Sequence, residues 1–136
     1  MLSKHERCRH ELLVKPPTLI KQRYIGDCSV ASLAMFLGIS YDEILPHYPE
    51  EIKEQFSTGV WNHRTFEVAY ELGVTLTCIE DDYDLAKPSL IIAPSLNREN
   101  TLHTMFWDGK KLYDPAIGKC YDSLPKNIAY VFQEYE

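Results

Sequence analysis

The chain contains no pair of cysteines two residues apart. Its four cysteines, Cys8, Cys28, Cys78 and Cys120, are scattered along the sequence. That spacing excludes a CxxC redox motif and a zinc ribbon, and it favours free thiols over a disulfide framework. Long apolar runs are missing too. The longest, Val30 to Leu37, is interrupted by Ser32 and falls far short of the ~20 residues that a membrane-spanning helix needs. The first fifteen residues, MLSKHERCRHELLVK, are charged and carry no apolar h-region, so no secretory leader is expected and a cytoplasmic location is. Cations are in the minority, with 14 Lys and Arg against 20 Asp and Glu and a net charge of −6. A nucleic-acid binder usually presents a basic face. Neither nucleic acid nor membrane is therefore expected as a partner. Repeats and low-complexity tracts are absent as well.

What is present suits one globular domain. The length of 136 residues and the 45% apolar content allow a core without disulfide or metal staples. We expect a single domain over 1–136, with 1–20 an extended N-terminal arm, because the prolines of KPPTL (15–19) resist helix. Residues 28–37 read as a helix apolar nearly all round, hence buried, with Asp27 as N-cap and Gly38 as stop. SYDE (40–43) reads as a capping box that starts a second helix, which Pro46 cuts short or kinks. NHRTFEVAYELG (62–73) reads as a third, capped by Asn62, ended by Gly73 and apolar along Phe66, Ala69, Tyr70 and Leu72 or Gly73. Strand-like stretches follow: VTLTCI (74–79), SLIIAPSL (89–96), TLHTMFW (101–107), KKLY (110–113) and IAYVFQEY (128–135). Helices first and antiparallel strands after predict an α+β fold.

Cys28 opens the apolar helix. A thiol there meets the positive end of the helix dipole and unpaired backbone N–H groups, both of which favour thiolate. Asp108-Gly109 is a two-residue hairpin signal. With those two residues as the turn, Trp107 pairs with Lys110, Met105 with Leu112 and His103 with Asp114. Directly opposed residues share a face, so a histidine lies beside a carboxylate that can orient it. Gln22, six residues before Cys28, can add an amide N–H to the Cys28 backbone N–H as oxyanion donors.

The segment QRYIGDCSVASLAMFLGISYDEI resembles the nucleophile region of the papain-like cysteine peptidases, in particular the C39-type branch known for bacteriocin-processing domains. LHTMFWDGKKLYDPAIGK resembles that branch's second signature, a His opening a strand and an Asp-Pro after the next one. The resemblance covers about residues 20–122. It implies a papain-like fold with the nucleophile on a central helix, a peptide or protein substrate, and a cysteine peptidase or related thiol acyl-hydrolase without cofactor. It implies Cys28 as nucleophile, His103 as base, Asp114 as orienter and Gln22 as oxyanion residue. Ser29 departs from the family, which usually has Gly there. These 136 residues hold no transporter or ATPase module, so the transport role of the bacteriocin-processing members is not expected to carry over.

Other residues read more plainly. Cys78 and Cys120 are expected as core or surface thiols, Asp108 and Asp122 as weaker competitors of Asp114, and His63 carries no role. Trp61 is expected to anchor the core rather than line a cleft. EDDYD (80–84) is a solvated acidic loop. Two alternatives to the enzyme are a non-catalytic module that binds a peptide in the same cleft, and a small metal site built on His5, Cys8 and His10.

Overall fold

The computed structural model describes residues 18–57, 59–95 and 101–135. The metal-site candidates His5, Cys8 and His10, and most of the expected N-terminal arm, lie outside the described residues. Among the described residues four α-helices precede six strands: α1 Cys28–Leu37, α2 Tyr41–Ile44, α3 Glu50–Lys53, α4 Asn62–Glu71, then β1 Leu76–Ile79, β2 Ser89–Pro94, β3 Leu102–Trp107, β4 Leu112–Asp114, β5 Lys119–Tyr121 and β6 Tyr130–Glu134. The strands form one sheet in the order β1-β6-β2-β3-β4-β5, every pair antiparallel. The α+β expectation is met. No single helix among the described residues is long and apolar enough to cross a membrane.

α1 follows from its composition. Every residue from Ser29 to Leu37 is buried, and each large aliphatic side chain fully removed from water contributes about 1.5–3 kcal/mol. Gly38 ends the helix at φ 72°, and its N–H and that of Ile39 return to the carbonyls of Met35 and Ala34, the left-handed stop that favours glycine. Ser40 and Glu43 cap each other's backbone N–H at 3.1 Å, so the capping box is real. Pro46 then sits in a short 3-10 turn, Leu45–His47, as a proline that cannot donate to a helix should.

The two faces of the sheet bury two clusters. Leu90, Ile92, Phe106 and Phe132 meet the helices, while Ile91, Met105, Trp107, Leu112 and Val131 pack beneath Tyr83, Leu124 and Ile128. α1 lies on β3: Phe36 meets Phe106 edge-on at 6.2 Å, and Ser32 Oγ donates to Thr104 O at 3.0 Å. The nucleophile helix and the strand bearing His103 are thereby held together by packing and by a buried polar tie.

Several expectations need correction. Trp61, not Asn62, occupies the cap of α4, with no side-chain cap bond. Its buried residues are Thr65, Val68 and Ala69, while Tyr70 is 70% exposed, because the apolar stripe runs along the i, i+3 row and Tyr70 lies one helical step off it. The β3–β4 hairpin has a four-residue loop, not two. Trp107 pairs with Leu112 and Phe106 with Tyr113. The cause is Asp108, whose carboxylate accepts the N–H groups of Lys110 and Lys111, both at 2.7 Å, and the Tyr113 hydroxyl at 2.9 Å. That side-chain turn holds Lys110 and Lys111 in the loop. Strand β5 and helix α3 have no counterpart in the sequence reading.

Candidate active site

Cys28 is the first residue of α1. Asp27 stands in the cap position but its carboxylate makes no cap bond to the helix. Instead it is fully buried and turned back to the preceding loop, accepting Arg23 N–H at 3.0 Å, Tyr24 N–H at 2.9 Å and the Tyr41 hydroxyl at 2.5 Å. Its carbonyl accepts Val30 N–H and Ala31 N–H to start the helix. Two more bonds pin the loop: Gln22 N–H to Pro115 O at 2.9 Å and Gly26 N–H to Phe56 O at 2.7 Å. Cys28 is therefore presented by a short loop fixed along its whole length.

His103 is the second residue of β3 and pairs with Ala93 of β2. Its Nε2 lies 2.7 Å from Asp114 Oδ1. The expected contact forms although the expected register does not. The actual pairing is offset by two residues, and side chains alternate with a period of two, so the offset leaves His103 and Asp114 on one face. Extending the observed register sets Met105 opposite Asp114 and makes His103 its diagonal neighbour, within reach for a long side chain. Asp114 Oδ1 also accepts Ala116 N–H at 2.9 Å.

The imidazole bridges to the thiol. With Nε2 held by Asp114, Nδ1 is the ring nitrogen left for Cys28, and ring and thiol act on each other's charge. Cys28 Sγ also accepts Thr104 N–H at 3.4 Å. Burial pushes the Cys28 thiol up, but the hydrogen bond and positive charge of His103, with the Thr104 N–H, outweigh it and hold the thiol below its ordinary value. Burial pulls His103 down, but Asp114 and the Cys28 thiolate push it up to about 9. Burial likewise raises Asp114, while His103 and the N–H groups of Ala116 and Ile117 hold its carboxyl below the usual range. All three shifts favour one state: thiolate, imidazolium, carboxylate.

Cys28 and His103 line a cleft of about 530 Å³, together with Gln22, Ser29, Trp61 and Tyr130 among others. Trp61 corrects the core-anchor expectation. It is 67% exposed and lines the cleft, because the cap of α4 projects beyond the core that Val68 and Ala69 enter. Gln22 reaches the cleft, but its Nε2 donates to Tyr24 O at 2.7 Å and to Ile25 O at 3.0 Å. Both amide hydrogens are thus committed to its own loop, and neither is available to an oxyanion in this arrangement. Ser29 is 3% exposed, and its Oγ, like Gln22 Oε1, is buried with no hydrogen-bond partner among the described residues.

Sequence reasoning did not foresee the part of Asp27 and Tyr41 in holding the loop, nor Tyr130 in the cleft. The cue for Asp27 was its place before the nucleophile; the tyrosine fourteen residues on gave none. Cys78 and Cys120 are free, exposed thiols on β1 and β5. Asp108 serves the hairpin turn, Asp122 and His63 are exposed, and the loop after β1 is solvated apart from Tyr83. No protein-family model matches this chain, and no curated protein matches it.

Proposed function

We propose that the chain is a papain-like cysteine peptidase of the C39 type, or a related thiol acyl-hydrolase, that cleaves a peptide or amide bond. The observation that carries this reading is the His103–Asp114 hydrogen bond beside Cys28 at the helix start, with His103 and Cys28 lining one cleft and pKa shifts that favour the ion pair. An orienter, a base and a nucleophile at a helix N-terminus are the parts that thiol acyl transfer requires. The Cys28 thiolate attacks the carbonyl carbon, a C–S bond forms and the carbonyl electron pair moves to oxygen. The backbone N–H of Cys28, ahead of the first bonds that Asp27 O accepts from Val30 and Ala31, meets that charge. His103 gives its Nδ1 proton to the leaving nitrogen, the C–N bond breaks, and a thioester remains. Water attacks the thioester, His103 takes its proton, the C–S bond breaks and the acid departs. Gln22 adds a second donor once substrate draws its amide away from Tyr24 O and Ile25 O. Free thiols at Cys78 and Cys120 suit a reducing, cytoplasmic setting.

The test is Cys28→Ala, assayed for p-nitrophenyl acetate turnover and for cleavage of a mixed peptide library by mass spectrometry. The substitution is expected to abolish both while the circular dichroism spectrum stays unchanged. Full activity in Cys28→Ala would rule the mechanism out. One observation favours a second reading, a peptide-binding module without catalysis: the amide of Gln22 is spent on its own loop. Iodoacetamide separates the two, because a Cys28 thiolate alkylates quickly near pH 6 and a buried structural thiol does not.

A further inference from the structure

One buried hydroxyl belongs to the cleft and has nothing to bond. Ser29 is the second residue of α1, is 3% exposed and lines the cleft beside Cys28. Its Oγ has no hydrogen-bond partner among the described residues. The hydroxyls of Tyr48 and Thr65 are also buried without partners there, but neither residue lines the cleft. A buried hydroxyl without a partner destabilises a fold, and alanine is the better helix former. Packing therefore gives no reason for a hydroxyl at this position. A local rule broken in this way is a mark of functional sites.

The resting arrangement also leaves the oxyanion short of donors. Gln22 spends both amide hydrogens on Tyr24 O and Ile25 O, and the atom it leaves over, Oε1, is an acceptor that an oxyanion cannot use. In a helix the Cα–Cβ bond tilts toward the N-terminus. From the second position of α1 the Ser29 side chain therefore leans toward the mouth of the helix, where the Cys28 N–H ends. No hydrogen bond has to break for its χ1 to turn. Resting on the thiol acyl-transfer reading, we propose that Ser29 is a catalytic residue whose hydroxyl donates to the oxyanion alongside the Cys28 N–H. The hydroxyl keeps its proton throughout. As Cys28 Sγ bonds to the carbonyl carbon, the carbonyl electron pair moves to oxygen and the Ser29 hydrogen bond tightens onto that charge. When the C–N bond breaks, the pair returns, the carbonyl reforms and the hydrogen bond weakens. The hydroxyl thus acts more strongly on the transition state than on the ground state, which is the condition for raising a rate.

Two reactions of the same thiolate test the assignment. Acylation by p-nitrophenyl acetate passes through an oxyanion. Alkylation by iodoacetamide displaces iodide at a saturated carbon and forms none. The groups that hold the Cys28 thiol down are His103 and the Thr104 N–H, so loss of the Ser29 hydroxyl leaves the thiolate in place. In Ser29→Ala the p-nitrophenol burst is expected to slow about a hundredfold, the scale of one lost oxyanion donor. Alkylation at Cys28, followed by peptide mass spectrometry, is expected to stay within about twofold of wild type, since no oxyanion forms in it. Ser29→Gly also lacks the hydroxyl and is expected to give the same pair of results. A burst at the wild-type rate in both variants would overturn the proposal. So would a faster one, which would show Ser29 to be an obstruction. Equal slowing of the two reactions would overturn it as well, because the substitution would then have damaged the nucleophile. A wild-type protein that alkylates at Cys28 but gives no burst would sink the thiol acyl-transfer reading, and the role of Ser29 with it. A normal wild-type burst that both variants reproduce would sink the role of Ser29 alone.

Discussion

Replacing Asp114 by Asn isolates the charge that holds His103 protonated. Asn keeps an oxygen at the position of Oδ1, so the acceptors for His103 Nε2–H and for Ala116 N–H at 2.9 Å both survive. What is lost is the negative charge, 2.7 Å from the ring nitrogen and largely shielded from water. A hydrogen bond to a charged partner contributes about 1.5–3 kcal/mol and a neutral one about 0.5–1.5. The difference, about 1–1.5 kcal/mol, is about one pKa unit. His103 is therefore expected to titrate about one unit below its wild-type value of about 9. The thiolate–imidazolium pair is weakened by the same amount, so iodoacetamide alkylation of Cys28 near pH 6 is expected to slow by up to about tenfold. Above pH 9 the thiolate forms without help from an imidazolium, and the two rates are expected to converge. Equal rates near pH 6 would refute the coupling. A deficit that persists undiminished above pH 9 would show that Asn had merely distorted the site.

Three further outcomes follow from the same contacts. Asp27→Ala leaves the N–H groups of Arg23 and Tyr24 and the Tyr41 hydroxyl without their acceptor; the expected cost is about 3 kcal/mol in urea unfolding, and a loss under about 1 kcal/mol would show that the loop does not depend on this carboxylate. Ser29→Ala removes a buried hydroxyl that has no partner among the described residues and improves helix propensity, so a gain of about 1 kcal/mol is expected; a clear loss in the same measurement would reveal a partner for Oγ. The third concerns pH. His103, raised to about 9, contributes stability present below its unfolded value near 6.5 and lost as pH rises through about 9. Cys28, lowered, contributes stability present above its unfolded value near 8.5 and lost as pH falls through its folded value. Where both forms of the pair are charged, one proton has moved from thiol to ring and the two slopes cancel. Cys28→Ala leaves the His103 slope alone, so its stability is expected to fall between about pH 6.5 and the new, lower His103 pKa, where the wild type stays nearly flat. Thermal unfolding across that range, with the ring titrated by NMR, checks both parts.

The candidate site was legible to an unusual degree because its residues sit where local rules are strong. Cys28 follows a turn and opens an apolar run. His103 and Asp114 flank a turn signal, and the error made there was one that strand periodicity forgives. A slip of one residue would have sent Asp114 to the helix face and ended the reasoning; a slip of two kept the face and cost only the choice between opposite and diagonal. Trp61 and Tyr70 were misplaced for a shared reason. Near the ends of a short helix, an aromatic side chain's burial depends on what the rest of the chain brings against it, and among the described residues both stay exposed.

The sequence by itself determined the buried helix Cys28–Leu37, its glycine stop, the reciprocal caps of Ser40 and Glu43, the α+β class, and the face that His103 and Asp114 share. Each rests on a pattern within a few residues, where periodicity and backbone hydrogen-bond demand act without distant partners. Tertiary structure alone decided the rest. It set the four-residue loop that Asp108 organises with Tyr113, the turning of Asp27 toward Tyr41, and the commitment of the Gln22 amide to its own loop. In each of these a side chain chooses among several competing partners, and which partner is within reach depends on how α1, β3 and the β4–β5 turn pack together.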